Sequence, residues 1–176
     1  DMEAPSLEAF FKDLGTREFE KQAVIVDIRS NQGGFVNAYA LDALSRKPYL
    51  LFTSRNQPTS PAREVLGQRA LEKPTVLMVN EETLSDGEDF TEGYEELHLG
   101  KVVGVPTAGW IIYTSAIPLI DGSAFRLPST RVTTIDGRPM EMHPRPVDVR
   151  VQREIGSDQD AQLQAAVRTL LETLHE

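Results

Sequence analysis

Cysteine is absent from the 176 residues, which removes disulfides, thiolate nucleophiles and Cys-based zinc sites together. It leaves the compartment open between cytosol and periplasm, where cysteine-free proteins both occur. A basic surplus is also lacking: with a net charge of −9 there is little to displace counterions from phosphates, so nucleic acid is not an expected partner. No apolar run reaches the length of a membrane span, and no membrane partner is expected. There is no internal repeat, low-complexity tract or interior linker, and the length suits one domain with a sizeable core over residues 1–176. The chain opens on Asp1 with no leader-like segment, so a fragment of a longer protein is expected.

What is present is an alternation of strand-like and helix-like stretches. Pro5 to Leu14 carries Leu7, Phe10, Phe11 and Leu14 at helical spacing and stops at Gly15. Ala23 to Ile28 is a continuous β-branched run, as in a parallel strand covered on both faces, and leads into Arg29-Ser30-Asn31-Gln32-Gly33-Gly34. Phe35 to Leu44 reads as a helix, Tyr49 to Phe52 as a second buried strand, Thr53 to Pro61 as an exposed loop, and Ala62 to Leu71 as a helix. Thr75 to Val79 and Lys101 to Val105 are further strands, so an α/β layer with a mostly parallel sheet is expected. From Trp110 the texture changes. Ile111 to Leu119, Ser123 to Leu127 and Arg131 to Thr134 alternate with Asp121-Gly122 and Asp136-Gly137, the pattern of antiparallel hairpins. Val147 to Val151 reads as a half-exposed strand, and Asp158 to Leu174 as a closing helix with Leu163, Ala166, Val167, Leu170, Leu171 and Leu174 on its apolar face.

Chemistry concentrates where Thr75 to Val79 gives way to Asn80-Glu81-Glu82-Thr83-Leu84-Ser85-Asp86-Gly87-Glu88. A serine between a strand and a helix start projects off the sheet beside unpaired amides and the positive end of the helix dipole, which favours an oxyanion. The same letters also spell a capping box, with Ser85 as N-cap and Glu88 as its partner. In that helix Phe90, Tyr94 and Leu97 share one face, while Glu88, Glu92 and Glu95 point elsewhere.

The Gly33-Gly34 pair ends another strand, on the same sheet edge if the strands are parallel. Without a third glycine it is no dinucleotide fingerprint, and it is no Walker loop. Two such glycines let backbone N–H groups point at an anion or a carbonyl oxygen. With the Asp86 amide they could form an oxyanion hole for a carbonyl attacked by Ser85. A base is harder to find. The three histidines are His98, near a helix C-terminus, the penultimate His175, and His143, which reads as a surface residue in a loop before a strand.

Four segments in order resemble the tricorn-type branch of the C-terminal-processing serine peptidase family. Val26 to Gly34 is similar to its D-L/I/V-R-x-N-x-G-G loop and Asn80 to Glu88 to its nucleophile turn, N-E-x-x-x-S-D-G-E/D. Lys101 to Trp110 resembles its V-V/I-G-x-x-T-x-G strand, and Glu141 to Asp148 its E-N-x-G-V-x-P-D segment. The resemblance runs from about Ala23 to the C-terminus. It implies the crotonase and Clp-protease superfold, a spiral of ββα units. It also implies Ser85 as nucleophile, Gly33 or Gly34 with Asp86 as oxyanion donors, and Glu141 as catalytic glutamate.

Trp110 stands where the processing peptidases place a lysine base. The tricorn branch uses a histidine upstream of the core, so the resemblance implies a base supplied from an upstream segment of the same protein. It further implies a peptide or unfolded-protein substrate, a homo-oligomer, and no metal or organic cofactor. Two alternatives remain on the same superfold: a non-catalytic peptide-binding or scaffolding domain with Ser85 as a helix cap, and a crotonase-like acyl-CoA enzyme.

Overall fold

A computed structural model describes residues 1–16, 21–61, 71, 73–153 and 156–175. In chain order the elements are α1 (Ala4–Leu14), β1 (Val24–Asp27), α2 (Asn37–Ser45), β2 (Leu51–Phe52), β3 (Ser60–Pro61), β4 (Thr75–Val79), α3 (Asp86–Glu96), β5 (Gly100–Gly104), β6 (Tyr113–Pro118), β7 (Ala124–Thr130), β8 (Val149–Arg150) and α4 (Ala161–His175). The helix expected over Ala62 to Leu71 lies, apart from Leu71, outside the described residues.

The central sheet has the order β1-β4-β5-β8 and every pairing in it is parallel. Although β4 is apolar throughout, its side chains divide with the period of two that a pleated strand imposes. Leu77 and Val79 join Val102, Ile28, Leu41, Phe90 and Tyr94 on the face covered by α2 and α3, with Leu7 and Phe10 of α1 packed against them. Val76 and Met78 turn the other way and pack with Val103 against Ala165, Ala166 and Leu170 of α4. Helices thus cover both faces of the sheet, and the fold is α/β with antiparallel hairpins added at its margin.

One hairpin is β6 with β7, turning at Asp121-Gly122 as its letters indicate; an isolated antiparallel bridge, Thr133 to Pro139, encloses Asp136-Gly137. No helix among the described residues is long and apolar enough to cross a membrane.

Three expectations are corrected. Tyr49 to Phe52 is not a buried strand: Leu51 and Phe52 pair antiparallel with Pro61 and Ser60 in a separate two-stranded ribbon, and Leu51 is 67% exposed. A four-residue apolar run does not reveal whether a sheet or solvent receives it. The inward face of α4 is Gln162, Ala165, Ala166 and Leu170, whereas Leu163, Val167, Leu171 and Leu174 are exposed. Finally, Leu97 lies past the end of α3 and is half exposed, while Glu88 is fully buried.

Candidate active site

The turn between β4 and α3 is held from three sides. Thr83, fully buried, donates its hydroxyl to the Ile28 carbonyl at 3.1 Å. The Leu84 amide donates to Asn31 O at 2.9 Å and the Ser85 amide to Trp110 O at 2.8 Å. These bonds hold Ser85 at φ 54° and ψ −125°, a region that costs a non-glycine residue about 1–3 kcal/mol and persists only where its surroundings impose it. The Ser85 side chain makes no capping hydrogen bond. The capping box is therefore not formed, and Glu88 has other partners.

Gly33 lies directly against the serine. A Cβ there would stand 2.5 Å from Ser85 Cβ, 2.8 Å from its Oγ and 3.3 Å from the Asp86 nitrogen. At Gly34 a Cβ would meet the Met2 carbonyl oxygen at 1.7 Å, because the Met2 segment runs alongside in a parallel bridge. The two glycine amides differ. Gly33 donates to Asn31 Oδ1 at 2.9 Å, whereas the Gly34 and Asp86 amides donate to no acceptor among the described residues.

The Asp86 carboxylate, itself buried, accepts from the Val36 amide at 2.8 Å, the Asn37 amide at 3.0 Å and the Asn37 side chain. It ties the serine turn to the start of α2, just beyond the glycine pair. Glu141 reaches the same place from the loop before β8, its Oε2 accepting from the Ile111 amide at 2.8 Å. Ser85 and Glu141 line one cleft of about 370 Å³ with Gln32, Leu84, Trp110 and Arg126.

Against this geometry stand the comparisons with known proteins. Residues 1–151 match Peptidase family S41, a serine peptidase family. The chain belongs to peptidase family S41. Within that family it is 32% identical over 129 residues to the tricorn protease of Thermoplasma volcanium, covering 73% of this chain and 12% of that protein. It is 30% identical over 182 residues to tricorn protease homolog 1 of Streptomyces coelicolor, covering 100% of this chain and 16% of that protein. A crystal structure of the tricorn protease superposes with a TM-score of 0.87 at 27% identity, over 100% of this chain and 17% of that one. The photosystem II D1 C-terminal processing protease, at 19% identity and a TM-score of 0.65 over 96% of this chain and 45% of that one, shares the fold. The chain thus spans about a sixth of its tricorn relatives' length.

In this S41 chain none of the three histidines lines the Ser85 cleft. His98 follows the C-terminus of α3 as expected, and His143 is an exposed residue whose Nδ1 lies 2.8 Å from the Glu141 carbonyl oxygen. Trp110 contributes its backbone to the site, and its side chain is 65% exposed.

Sequence reasoning missed two residues. Glu88 accepts from the Thr107 hydroxyl, from the Gly109 amide at 2.7 Å and from the Trp110 amide at 2.6 Å. Burial pushes its carboxyl above the ordinary range while these bonds pull it down. Its partners lie about twenty residues downstream, where a local capping pattern does not look. Arg126 carried no motif. Asp89 completes the acidic first turn of α3; burial raises it to about 6, opposed by a 2.9 Å bond from the Tyr113 hydroxyl and reinforced by Asp86 and Glu88.

Proposed function

We propose that this chain is the catalytic core of a tricorn-like serine endopeptidase, with Ser85 as nucleophile. The observation that carries the reading is the Ser85 turn itself. It is held at positive φ with no cap bond to the hydroxyl, packed against Gly33, beside the acceptor-free amides of Gly34 and Asp86. The missing cap bond also counts against the scaffolding alternative, which assigns Ser85 no other task.

Ser85 Oγ attacks the peptide carbonyl carbon, and the carbonyl π pair moves onto oxygen, which the Gly34 and Asp86 amides receive. Of the two glycines, Gly34 is the better donor because the Gly33 amide already serves Asn31. Collapse breaks the C–N bond and releases the amine with a proton. Water then attacks the acyl-enzyme, restoring Ser85 and freeing the new carboxylate.

The proton of Ser85 needs an acceptor, and among the described residues lining the cleft none is a histidine or lysine, while the Glu141 carboxylate is anchored on the Ile111 amide. A histidine from an upstream segment of the full-length protein meets that need, in keeping with relatives about six times longer. Glu141 then orients it from its anchor on the Ile111 amide. The exposed apolar residues of α4, Leu163, Val167 and Leu171, suit a homo-oligomer or contact with the remainder of the protein. The substrate is a peptide or unfolded protein.

The test is labelling of the full-length protein by a fluorophosphonate probe. Covalent labelling is expected on Ser85 and absent in Ser85→Ala; labelling that survives the substitution removes Ser85 from the mechanism.

A further inference from the structure

The β6–β7 hairpin has two unlike faces. Cross-strand pairing sets Ala116 opposite Arg126 and Thr114 opposite Pro128, so these four share one face. Ser115 with Leu127 and Ile117 with Phe125 occupy the other, which is apolar and exposed. The first face looks onto the nucleophile: Thr114 and Arg126 line the cleft that contains Ser85 and Glu141.

Arg126 is the one cationic side chain among the residues lining that cleft. It is also tethered. Its Nε donates to Thr114 Oγ1 at 3.0 Å and its Nη2 to the same oxygen at 2.6 Å. A guanidinium has five N–H groups, so several remain with no acceptor among the described residues. The threonine fixes the fork before any ligand arrives, which reduces the side-chain entropy lost on binding. Among the described residues Arg126 hydrogen-bonds to Thr114 and makes no bond to Glu141, whose Oε2 accepts from the Ile111 amide.

A planar cationic fork with free donors is matched by a carboxylate. We infer that Arg126 is a specificity residue that receives a substrate carboxylate next to the scissile bond, from an Asp or Glu side chain or from a free C-terminus. The inference rests on Ser85 being the nucleophile. The chain's charge of −9 opposes approach of such a substrate at long range, but salt screens that repulsion over about 10 Å, whereas a contact pair in a cleft survives. Discrimination is therefore to be read near physiological salt.

Full-length protein is assayed with three quenched fluorescent peptides: one with Glu flanking the scissile bond and blocked termini, its Gln counterpart, and a neutral peptide cut near a free C-terminus. Charge-assisted hydrogen bonds predict about a tenfold or greater kcat/KM advantage for a carboxylate peptide over its neutral partner. That ratio falls towards one in Arg126→Gln and is partly restored in Arg126→Lys. An advantage confined to the Glu peptide assigns the side-chain source; one confined to the third peptide, lost on C-terminal amidation, assigns the C-terminus. Wild-type protein that treats all three alike, or an advantage that persists in Arg126→Gln, overturns the inference. If no peptide is cleaved and Ser85 is not labelled, the nucleophile assignment falls separately. Fluorescence anisotropy on Ser85→Ala then decides the subsite, which requires tighter binding of the carboxylate peptide and loss of that margin in Ser85→Ala/Arg126→Gln. Equal binding overturns it.

Discussion

The Ser85 amide donates to the Trp110 carbonyl oxygen at 2.8 Å, and the Trp110 amide donates in turn to Glu88 at 2.6 Å. The strained turn and the segment that follows β5 are thus joined through the backbone of one residue, whose carbonyl holds the Ser85 amide while its own amide is held by the buried carboxylate of Glu88. Trp110, which the sequence resemblance sets against a lysine, serves here through its backbone.

Glu88→Gln is expected to damage the site. The carboxylate accepts from Thr107 and Gly109 on one oxygen and from Trp110 on the other, so an amide NH2 in either orientation confronts a donor. Leaving a buried donor unsatisfied costs about 1–3 kcal/mol. Chemical denaturation is expected to show a loss of that size, accompanied by slower fluorophosphonate labelling of Ser85. Unchanged labelling would show that the Trp110 clamp does not position the serine.

Gly33→Ala tests the close approach of Gly33 to Ser85. With φ at 94° and a Cβ 2.5 Å from that of Ser85, the substitution must displace either the serine or its own loop. Labelling is expected to fall on the order of a hundredfold, comparable to losing an oxyanion donor. Circular dichroism would verify that helix content is retained, since the central sheet is untouched.

How much of this was legible from the letters differs by element. The strands β1, β4 and β5 are legible because their apolar runs are strand-sized, rich in β-branched residues and bounded by turn residues. The Ser85 turn is legible where β4 gives way to α3, but the fate of Glu88 is hidden. The i to i+3 spacing with Ser85 matches a capping box, and only the tertiary approach of Gly109 and Trp110 diverts the carboxylate. Arg126 was invisible for a related reason: its importance comes from hairpin register, which single residue types do not encode. In α4 the helix is legible but its inward face is not: of the six residues in the apolar stripe only Ala166 and Leu170 meet the sheet.

Stability is expected to decline between about pH 4 and pH 6 through Asp89. Its folded value, about 6, lies above the ordinary 3.8, so its contribution is fully present below the unfolded value and is lost as pH rises through the folded one. After discounting for solvent screening, the change is on the order of 1 kcal/mol. Asp89→Asn keeps an acceptor for the Tyr113 hydroxyl and removes the charge, so it should flatten this slope in denaturant titrations at stepped pH. Glu95, raised to about 7 mainly by burial, extends the same trend upward, and Glu95→Gln should flatten the part near pH 7.

His143→Ala is expected to leave labelling of Ser85 within about twofold of wild type, as is usual for an exposed side chain away from such features. The ring is exposed and lines a separate cavity with Glu92, Glu95 and Arg145. A large loss in the full-length protein would make His143 a candidate base after all and remove the need for one from upstream.

Glu141→Gln separates a structural from a chemical role for this carboxylate. Glu141 is only half buried, and its Oε2 accepts one hydrogen bond from the Ile111 amide at 2.8 Å. A glutamine can present its carbonyl oxygen to the same N–H, so the loop anchor survives and stability should stay within about 0.5 kcal/mol. What disappears is the negative charge in the Ser85 cleft. If that charge orients a histidine and stabilises the imidazolium formed when Ser85 loses its proton, kcat should fall at least about a hundredfold with little change in KM. Glutamate at 141 would then be required for its charge as well as its shape. Equal losses in stability and activity would instead make Glu141 a loop anchor. Activity retained in Glu141→Gln would place the orienting group for the base elsewhere in the full-length protein.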